Sequence, residues 1–415
     1  MATHRLYYDD SYLEKFEARV RECVPIEPVA TSAGTVPAWG VVLDRTAFYP
    51  TSGGQPNDVG LLGEANVLDV REEGEDVLHV VDRELELGVV QGCVQWPRRF
   101  DHMQQHTGQH LLSAMFHERY GRPTVSFHLG AEVCTIDLRG PEPSADVLVG
   151  AQRAANQVIF ADRSVTVRYG TAEQLARLGV RKVVDREGIL RALEIEGADL
   201  QPCGGTHVKS TGQIGMILVR RCAKIRQDYR VEFVCGSRAE KVASEDFQLL
   251  RALSEQLSSA PEELPAAIEK ATAERDENFR ALRRVLQDLA ESRAVLLRNA
   301  TPAEADGTKV VAELLKDVPV EFLLALATEL AKNERMVALL AGEESGQMVF
   351  AQGPGAGKDL AAMLKLVLMT FPGKGGGTRD FVRAKLAEAN AGREALALAK
   401  KLVKELKEAG ADAVG

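Results

Sequence analysis

The 415-residue chain carries 51 lysines and arginines against 60 aspartates and glutamates, a net charge of −9, with 45% hydrophobic and 27% charged residues. This is the composition of a water-soluble globular protein with material for more than one core, and its acidity argues against broad, sequence-blind nucleic-acid binding, which rests on phosphate neutralisation. No apolar run reaches the roughly 18 residues that span a bilayer, and the polar start MATHRLYYDDSYLEKFEARV lacks the features of a signal or transit peptide, so a cytoplasmic protein with no membrane partner is expected.

Residues 1 to 95 read as a small β-barrel or curled sheet. The runs AWGVVLDRTAFYP, NVLDVREE, DVLHVVD and GCVQW are short and β-branched or alternating, with Gly, Asp and Glu turns between them. One loop inside this region, FYPTSGGQPNDVG, contains the tandem glycines Gly53 and Gly54, which allow positive φ and close backbone approach to a ligand, or simply a turn.

Residues 96 to 240 interleave strands and helices irregularly, which is α+β character. A helix is predicted from about Arg99 to Tyr120 with Gly121 as its stop. TVSFHLG and CTIDLRG follow as strands, SADVLVGAQRAANQVIFAD as a helix, VTVRYGT as a strand and AEQLARLG as a short helix. After the loop QPCGGTHV, GMILVRRCAKI and YRVEFVCG close the unit as strands. The segment RRCAKIRQDYR, together with Arg98 and Arg99, is either solvated surface or a local RNA-facing patch.

Residues 241 to 300 lack glycine, and beyond Pro261 and Pro265 the residues Phe279, Leu282, Leu286, Leu289 and Leu296 fall on a heptad-like seam that Arg293 interrupts. A long helix or coiled-coil hairpin is expected, with one helix packed on a domain as the alternative. Residues 309 to 415 alternate apolar strands and helices, a small α/β domain ending in the helix RAKLAEANAGREALALAKKLVKELKEAG. Two glycine-rich loops stand out there. GPGAGKD fails as a nucleotide-binding P-loop, because Asp359 follows Lys358 where Ser or Thr is required; ATP binding is not expected. PGKGGGTRD carries Lys374 among glycines whose backbone amides suit a phosphate.

The chemistry concentrates in few residues. Of eight histidines, three fall in DHMQQHTGQHLL, at His102, His106 and His110, so that they share one helix face. Cys203 and His207 lie four apart in CGGTH, where Gly204 and Gly205 permit a tight turn. The other cysteines, Cys23, Cys93, Cys134, Cys222 and Cys235, show no ligand spacing and read as small buried hydrophobes in a reducing compartment. CGGTH alone is a metal half-site, a thiol with its base, or a turn. Its pairing with HxxxH favours a His/Cys metal set of the kind zinc prefers.

Together these stretches resemble a known family. HTGQHLL, QPCGGTHVKSTGQIG and YRVEFVCG resemble the zinc-dependent editing domain of alanyl-tRNA synthetase, and FYPTSGGQPNDVG resembles the glycine-rich loop of its N-terminal subdomain. LYYDDSYLEKFEARV resembles the start of the free-standing AlaX editing proteins. The long helix and PGKGGGTRD resemble the synthetase's C-terminal region, a domain also attached to DHH phosphoesterases; that family usually continues Arg-Pro-Asp where this chain has Thr378, Arg379 and Asp380.

The resemblance implies an α+β multidomain protein: barrel subdomain 1–95, zinc editing domain 96–240, helical segment 241–300 and C-terminal α/β domain 309–415. With no aminoacylation module, it would act in trans as an aminoacyl-tRNA deacylase on tRNA(Ala) mischarged with serine or glycine. One zinc ion per chain would be held by His106, His110, Cys203 and His207, with His102 outside the set. Gly53, Gly54 and Gln55 would face the aminoacyl end, Thr107 would help select the amino acid, and Lys374 would touch tRNA. A non-catalytic tRNA-binding module with structural zinc, and the same chemistry on Ser-tRNA(Thr), are the alternatives. A homodimer through the helical segment or the C-terminal domain is a further expectation.

Overall fold

Along the strand Lys15–Thr31, Phe16, Ala18 and Val20 alternate inward while charged neighbours face solvent. This strand joins Gly34–Leu43, Asp76–Val81, Ala65–Glu73, Gly60–Leu62 and Gly88–Val94, in that spatial order, to close a six-stranded barrel. Phe16, Val41, Leu43, Phe48, Leu62, Val70 and Val77 fill it. The computed structural model describes residues 2–31, 34–181 and 188–405, and the chain divides into two units, Met1–Ala252 and Leu253–Gly415.

In the first unit the helix Trp96–Tyr120 follows the barrel, with Pro97 in its first turn and Gly121 in the left-handed region as its stop. It packs with the helix Ala145–Phe160 and a four-stranded antiparallel sheet, ordered Ile217–Ile225, Asp228–Cys235, Cys134–Leu138, Thr124–Leu129. A second, three-stranded sheet of Val165–Gly170, Leu190–Ile195 and Asp199–Pro202 delivers the chain to Cys203. The architecture is α+β and multidomain, as expected.

The second unit holds a five-stranded sheet ordered Lys309–Leu315, Met336–Gly342, Gln347–Gln352, Phe381–Leu386, Gly373–Gly377. Two sequence expectations change here. The stretch 373–377 is an edge strand rather than a loop, and Gly375 is required in it, since a Cβ there would lie 2.4 Å from the Ala384 Cβ. The expected final helix begins only at Gly392; its first residues form the strand Phe381–Leu386, where Val382, Ala384 and Leu386 alternate inward. Sheet pairing on both sides overrides their helix propensity. The end of that helix, past residue 405, lies outside the described residues.

The helix Leu264–Ala300 packs on Val320–Ala331 through Leu286, Ala290, Ala294 and Leu297. Small alanines let the two backbones approach. The seam residues Phe279, Leu282, Leu289 and Leu296 stay exposed, so only Leu286 of that seam is buried. No helix among the described residues is long and apolar enough to cross a membrane.

Candidate metal centre and substrate cavity

Every residue of the helix Trp96–Tyr120 from His102 to Phe116 is buried, although the run is rich in polar side chains. A helix buried all round is normally apolar, so each polar group here needs a partner. Gln105 exchanges hydrogen bonds with the Cys235 backbone (2.8 and 2.9 Å). Gly108 leaves room for the Cys235 sulfur, which a Cβ would meet at 2.3 Å. This close packing fixes the azimuth of the helix and aims His106 and His110 at the CGGTH loop.

The donor atoms of His106, His110, Cys203 and His207 all lie within 4.8 Å of one another and form a group that could hold a metal ion. The Cys203 Sγ is 3.5 Å from His106 Nε2 and 3.2 Å from His207 Nε2. The ring centroids of His106 and His207 are 4.5 Å apart, and those of His110 and His207 5.3 Å. Of the two ring nitrogens of buried His110, Nδ1 faces the Asp199 carboxylate at 3.4 Å, while Nε2 has no hydrogen-bond partner, an orphaned state that a bound ion would resolve. A nucleophilic thiol needs one oriented base, whereas three imidazoles around one sulfur make a donor set of the softness zinc takes. His102 stands apart from the group; burial drives its imidazole down to about 3.

The charges of the cluster are unequal. Burial pushes the Cys203 thiol up, but His106, His207 and His110 more than reverse this and hold it well below the usual thiol range. Burial likewise lowers His110, yet Cys203 and Asp199 override it and raise the imidazole to about 9. His207 is driven down to about 3 by burial. These shifts pair a thiolate with a protonated His110, an arrangement in which a bound cation would take the place of the His110 proton.

Gly204 and Gly205 act differently from the tight-turn expectation. Neither has positive φ. A Cβ on Gly205 would stand 2.3 Å from the His106 ring and 2.8 Å from Gln55, so the residue is a matter of space rather than of backbone freedom. The loop is pinned by Arg191, whose Nη1 donates to the carbonyls of Cys203 (2.7 Å) and Gly205 (3.0 Å) and whose guanidinium lies over the Tyr8 ring.

Gln55 and Thr107 sit elsewhere than expected. Both are fully buried and neither lines the cavity beside the cluster. Gln55 Oε1 meets His106 Nδ1 at 2.8 Å and accepts from the Thr206 amide, while its Nε2 donates to Thr206 Oγ1. Thr107 Oγ1 lies 3.1 Å from His207 Nδ1. Both side chains contact imidazoles of the cluster. Arg99 is corrected too: it is fully buried in an ion pair with Asp58 of the glycine-rich loop, so it is no RNA-facing residue. Among the cluster at 220–230, Arg220 pairs with Asp246 and Arg230 with Asp137, while Arg221, Lys224 and Arg226 are exposed.

A cavity of about 750 Å³ opens beside His106, His110 and Cys203, bordered by Gly53, Gly54, Phe127, Gln109, Gln201 and Arg181 among others. Gly53 and Gly54 both have positive φ, and open space stands where a Gly53 Cβ would be. Gln109 and Gln201, which sequence reasoning passed over, each bring a buried amide oxygen with no partner to this wall. Both lie within or beside the metal motifs, which was the available signal. Lys374 is exposed on the edge strand of the second unit.

Two family models match parts of the chain: tRNA synthetases class II (A) over residues 1–95, and the threonyl and alanyl tRNA synthetase second additional domain over residues 190–230. The chain is 32% identical to alanyl-tRNA editing protein Aarsd1-B of Xenopus laevis over 356 residues, covering 83% of this chain and 85% of that one. It is 31% identical to alanyl-tRNA editing protein AlaX-L of Pyrococcus horikoshii over 401 residues, covering 92% and 94%. Alanine–tRNA ligase of Pyrococcus abyssi is 30% identical over 414 residues, 95% of this chain but 43% of the ligase. With the His/Cys group, its cavity and this likeness over nearly its whole length, the chain belongs to the alanyl-tRNA editing proteins, a family of aminoacyl-tRNA deacylases.

Proposed function

We propose that this protein hydrolyses Ser-tRNA(Ala), and more slowly Gly-tRNA(Ala), in trans at a site that binds one zinc ion through His106, His110, Cys203 and His207. The observation that carries the proposal is the convergence of these four donors beside a cavity whose wall holds two unpartnered amide oxygens. When bound, zinc supplies a Lewis acid that polarises a carbonyl or acidifies water. The reaction adds water to the aminoacyl carbonyl carbon, breaks its bond to the ribose oxygen, and returns a proton to that oxygen.

The chain's own residues would orient and select. Gly53 leaves open space for the aminoacyl end, while Gly54 lets the backbone lie against the Phe127 ring, which a Cβ would meet at 2.8 Å. Gln109 and Gln201 offer polar atoms that the seryl hydroxyl, both donor and acceptor, can satisfy. An alanyl group leaves them unpaired, and a site built to bond a hydroxyl rejects the analogue without it by on the order of 10⁴-fold. Glycine would enter by size alone. In this scheme residues 1–95 and 96–240 form the editing machinery, and 241–300 and 309–415 carry the helical segment and a tRNA-contacting domain with Lys374.

The test is metal analysis coupled to deacylation of Ser-, Gly- and Ala-tRNA(Ala) and Ser-tRNA(Thr) by the intact protein. One zinc per chain, with Ser-tRNA(Ala) far ahead of Ala-tRNA(Ala), is expected. His106→Ala and Cys203→Ala should lose both metal and activity. Normal rates from those variants would sink the proposal, and zinc without single-turnover hydrolysis would leave a structural ion in a binding module.

A further inference from the structure

Each imidazole of the cluster is approached from behind by a different group. His106 Nδ1 meets Gln55 and His207 Nδ1 meets Thr107, both neutral partners. His110 Nδ1 instead faces the Asp199 carboxylate, at 3.4 Å. Asp199 lies at the start of the strand Asp199–Pro202, four residues before Cys203, and its side chain is 2% exposed. Its two oxygens also receive the Arg181 guanidinium, at 2.8 and 3.2 Å.

We propose that Asp199 is a positioning residue of the metal centre: it fixes the His110 ring and holds the hydrogen on its Nδ1, leaving Nε2 for a metal. This rests on the metal-site reading above. The argument is one of geometry and charge. A ligating imidazole must keep one nitrogen free of hydrogen, and a carboxylate behind the other nitrogen holds the hydrogen there and raises the basicity of the free one. Gln55 and Thr107 orient their rings but bring no charge. In a buried site each uncompensated charge is costly. Arg181 binds both carboxylate oxygens, sharing Oδ2 with His110, and so holds the carboxylate in place behind the ring. Asp199 is thus the only acidic side chain among the three partners seen behind the imidazoles.

Zinc affinity by chelator competition, and absorption spectra of the cobalt-loaded protein, separate this role from simple packing. The full chain is compared with Asp199→Ala, Asp199→Asn and Arg181→Gln, with thermal unfolding of each. Asp199→Asn is nearly isosteric and keeps an acceptor for the His110 N–H, while it removes the charge and one acceptor of Arg181. Its zinc affinity is expected to fall about 10-fold, and that of Asp199→Ala nearer 100-fold, with a shifted cobalt spectrum in both. Arg181→Gln, which breaks the same ion pair without touching His110, should lose less metal affinity than either. Zinc affinity in Asp199→Asn within twofold of the parent would overturn the proposal. So would equal losses of affinity in Asp199→Asn and Arg181→Gln that track equal losses of thermal stability, since that pattern belongs to a structural ion pair. A parent chain that takes up neither zinc nor cobalt overturns the metal reading itself, and the role of Asp199 with it.

Discussion

The first unit packs polar side chains where the second packs aliphatic ones. Gln55, Asp58, His79, Arg99, Gln105, His106, Thr107, His110, Asp199, Thr206 and His207 are all buried in the first; in the second, buried polar residues are Thr308, Glu329 and Gln352 among the described residues. The core of the second unit is built instead from residues such as Leu323, Leu326, Leu330, Val337, Leu339 and Phe350. Burying a polar group is unfavourable unless it finds a partner, so a dense, partnered polar interior marks where stability has been given up to position chemistry. The glycine-rich stretches of the second unit look more like a ligand site in sequence, yet they form an edge strand and a loop over an apolar core.

The strongest challenge to this contrast is Arg99→Met. It leaves Asp58 charged, buried and without its counter-ion, and should cost about 3–5 kcal/mol, read as a drop in the denaturant midpoint of the first unit. Replacing both partners by apolar residues should recover much of the loss, and a single-variant cost below about 1 kcal/mol would remove the distinction between the units. Next comes acid. Burial holds His79, in the barrel, down to about 4 from an ordinary 6.5. The unfolded chain therefore takes up a proton that the folded barrel refuses. Stability is full above pH 6.5 and falls between 6.5 and 4, by about 3 kcal/mol at 1.36 kcal/mol per pKa unit. His79→Asn should flatten that slope in pH-dependent unfolding.

Gln55→Ala strips partners from His106 and Thr206 and should cost about 1–3 kcal/mol while also lowering bound metal. Gln352→Ala makes a matched control in the second unit. It frees the Lys358 backbone and Asp380, at a similar loss of stability, but metal content should stay unchanged; a parallel fall would break the comparison. Smallest is Lys374→Ala, an exposed change expected to stay within about 0.5 kcal/mol in unfolding. If the edge strand touches tRNA, the same variant weakens binding and reduces its salt slope by about 1.

The parts legible in sequence were those where one local rule decides. The helix ending at Tyr120 has Gly121 to stop it, and the first barrel strand alternates cleanly over Lys15 to Val20. The four donors were readable because histidine is scarce and both spacings bring side chains to one point. What was missed depends on contacts distant in sequence. The strand Phe381–Leu386 reads as helix until its two neighbours pair with it. The leucines of the long helix suggest a seam, but the surface facing Val320–Ala331 selects Ala290 and Ala294 instead. Gln55 and Thr107 lie in motifs that point at a substrate, yet their partners, 151 and 100 residues away, turn them toward the imidazoles. The Asp199 side chain becomes relevant only once a strand carries it behind His110.

Those long separations also bear on how the protein is made. His106 and Cys203 are 97 positions apart, and Gln55 reaches Thr206 across 151. Contacts of such span form late, after loop-closure entropy has been met, and a growing chain emerges N-terminal end first. A ribosome-bound chain that has released the barrel and the helix Trp96–Tyr120 holds two of the imidazoles but not the sulfur. It cannot yet bring the four donors together. Hydrolytic competence should therefore switch on late in synthesis, once the strands through Cys235 have docked, so that the activity itself reports the completeness of the first unit's folding.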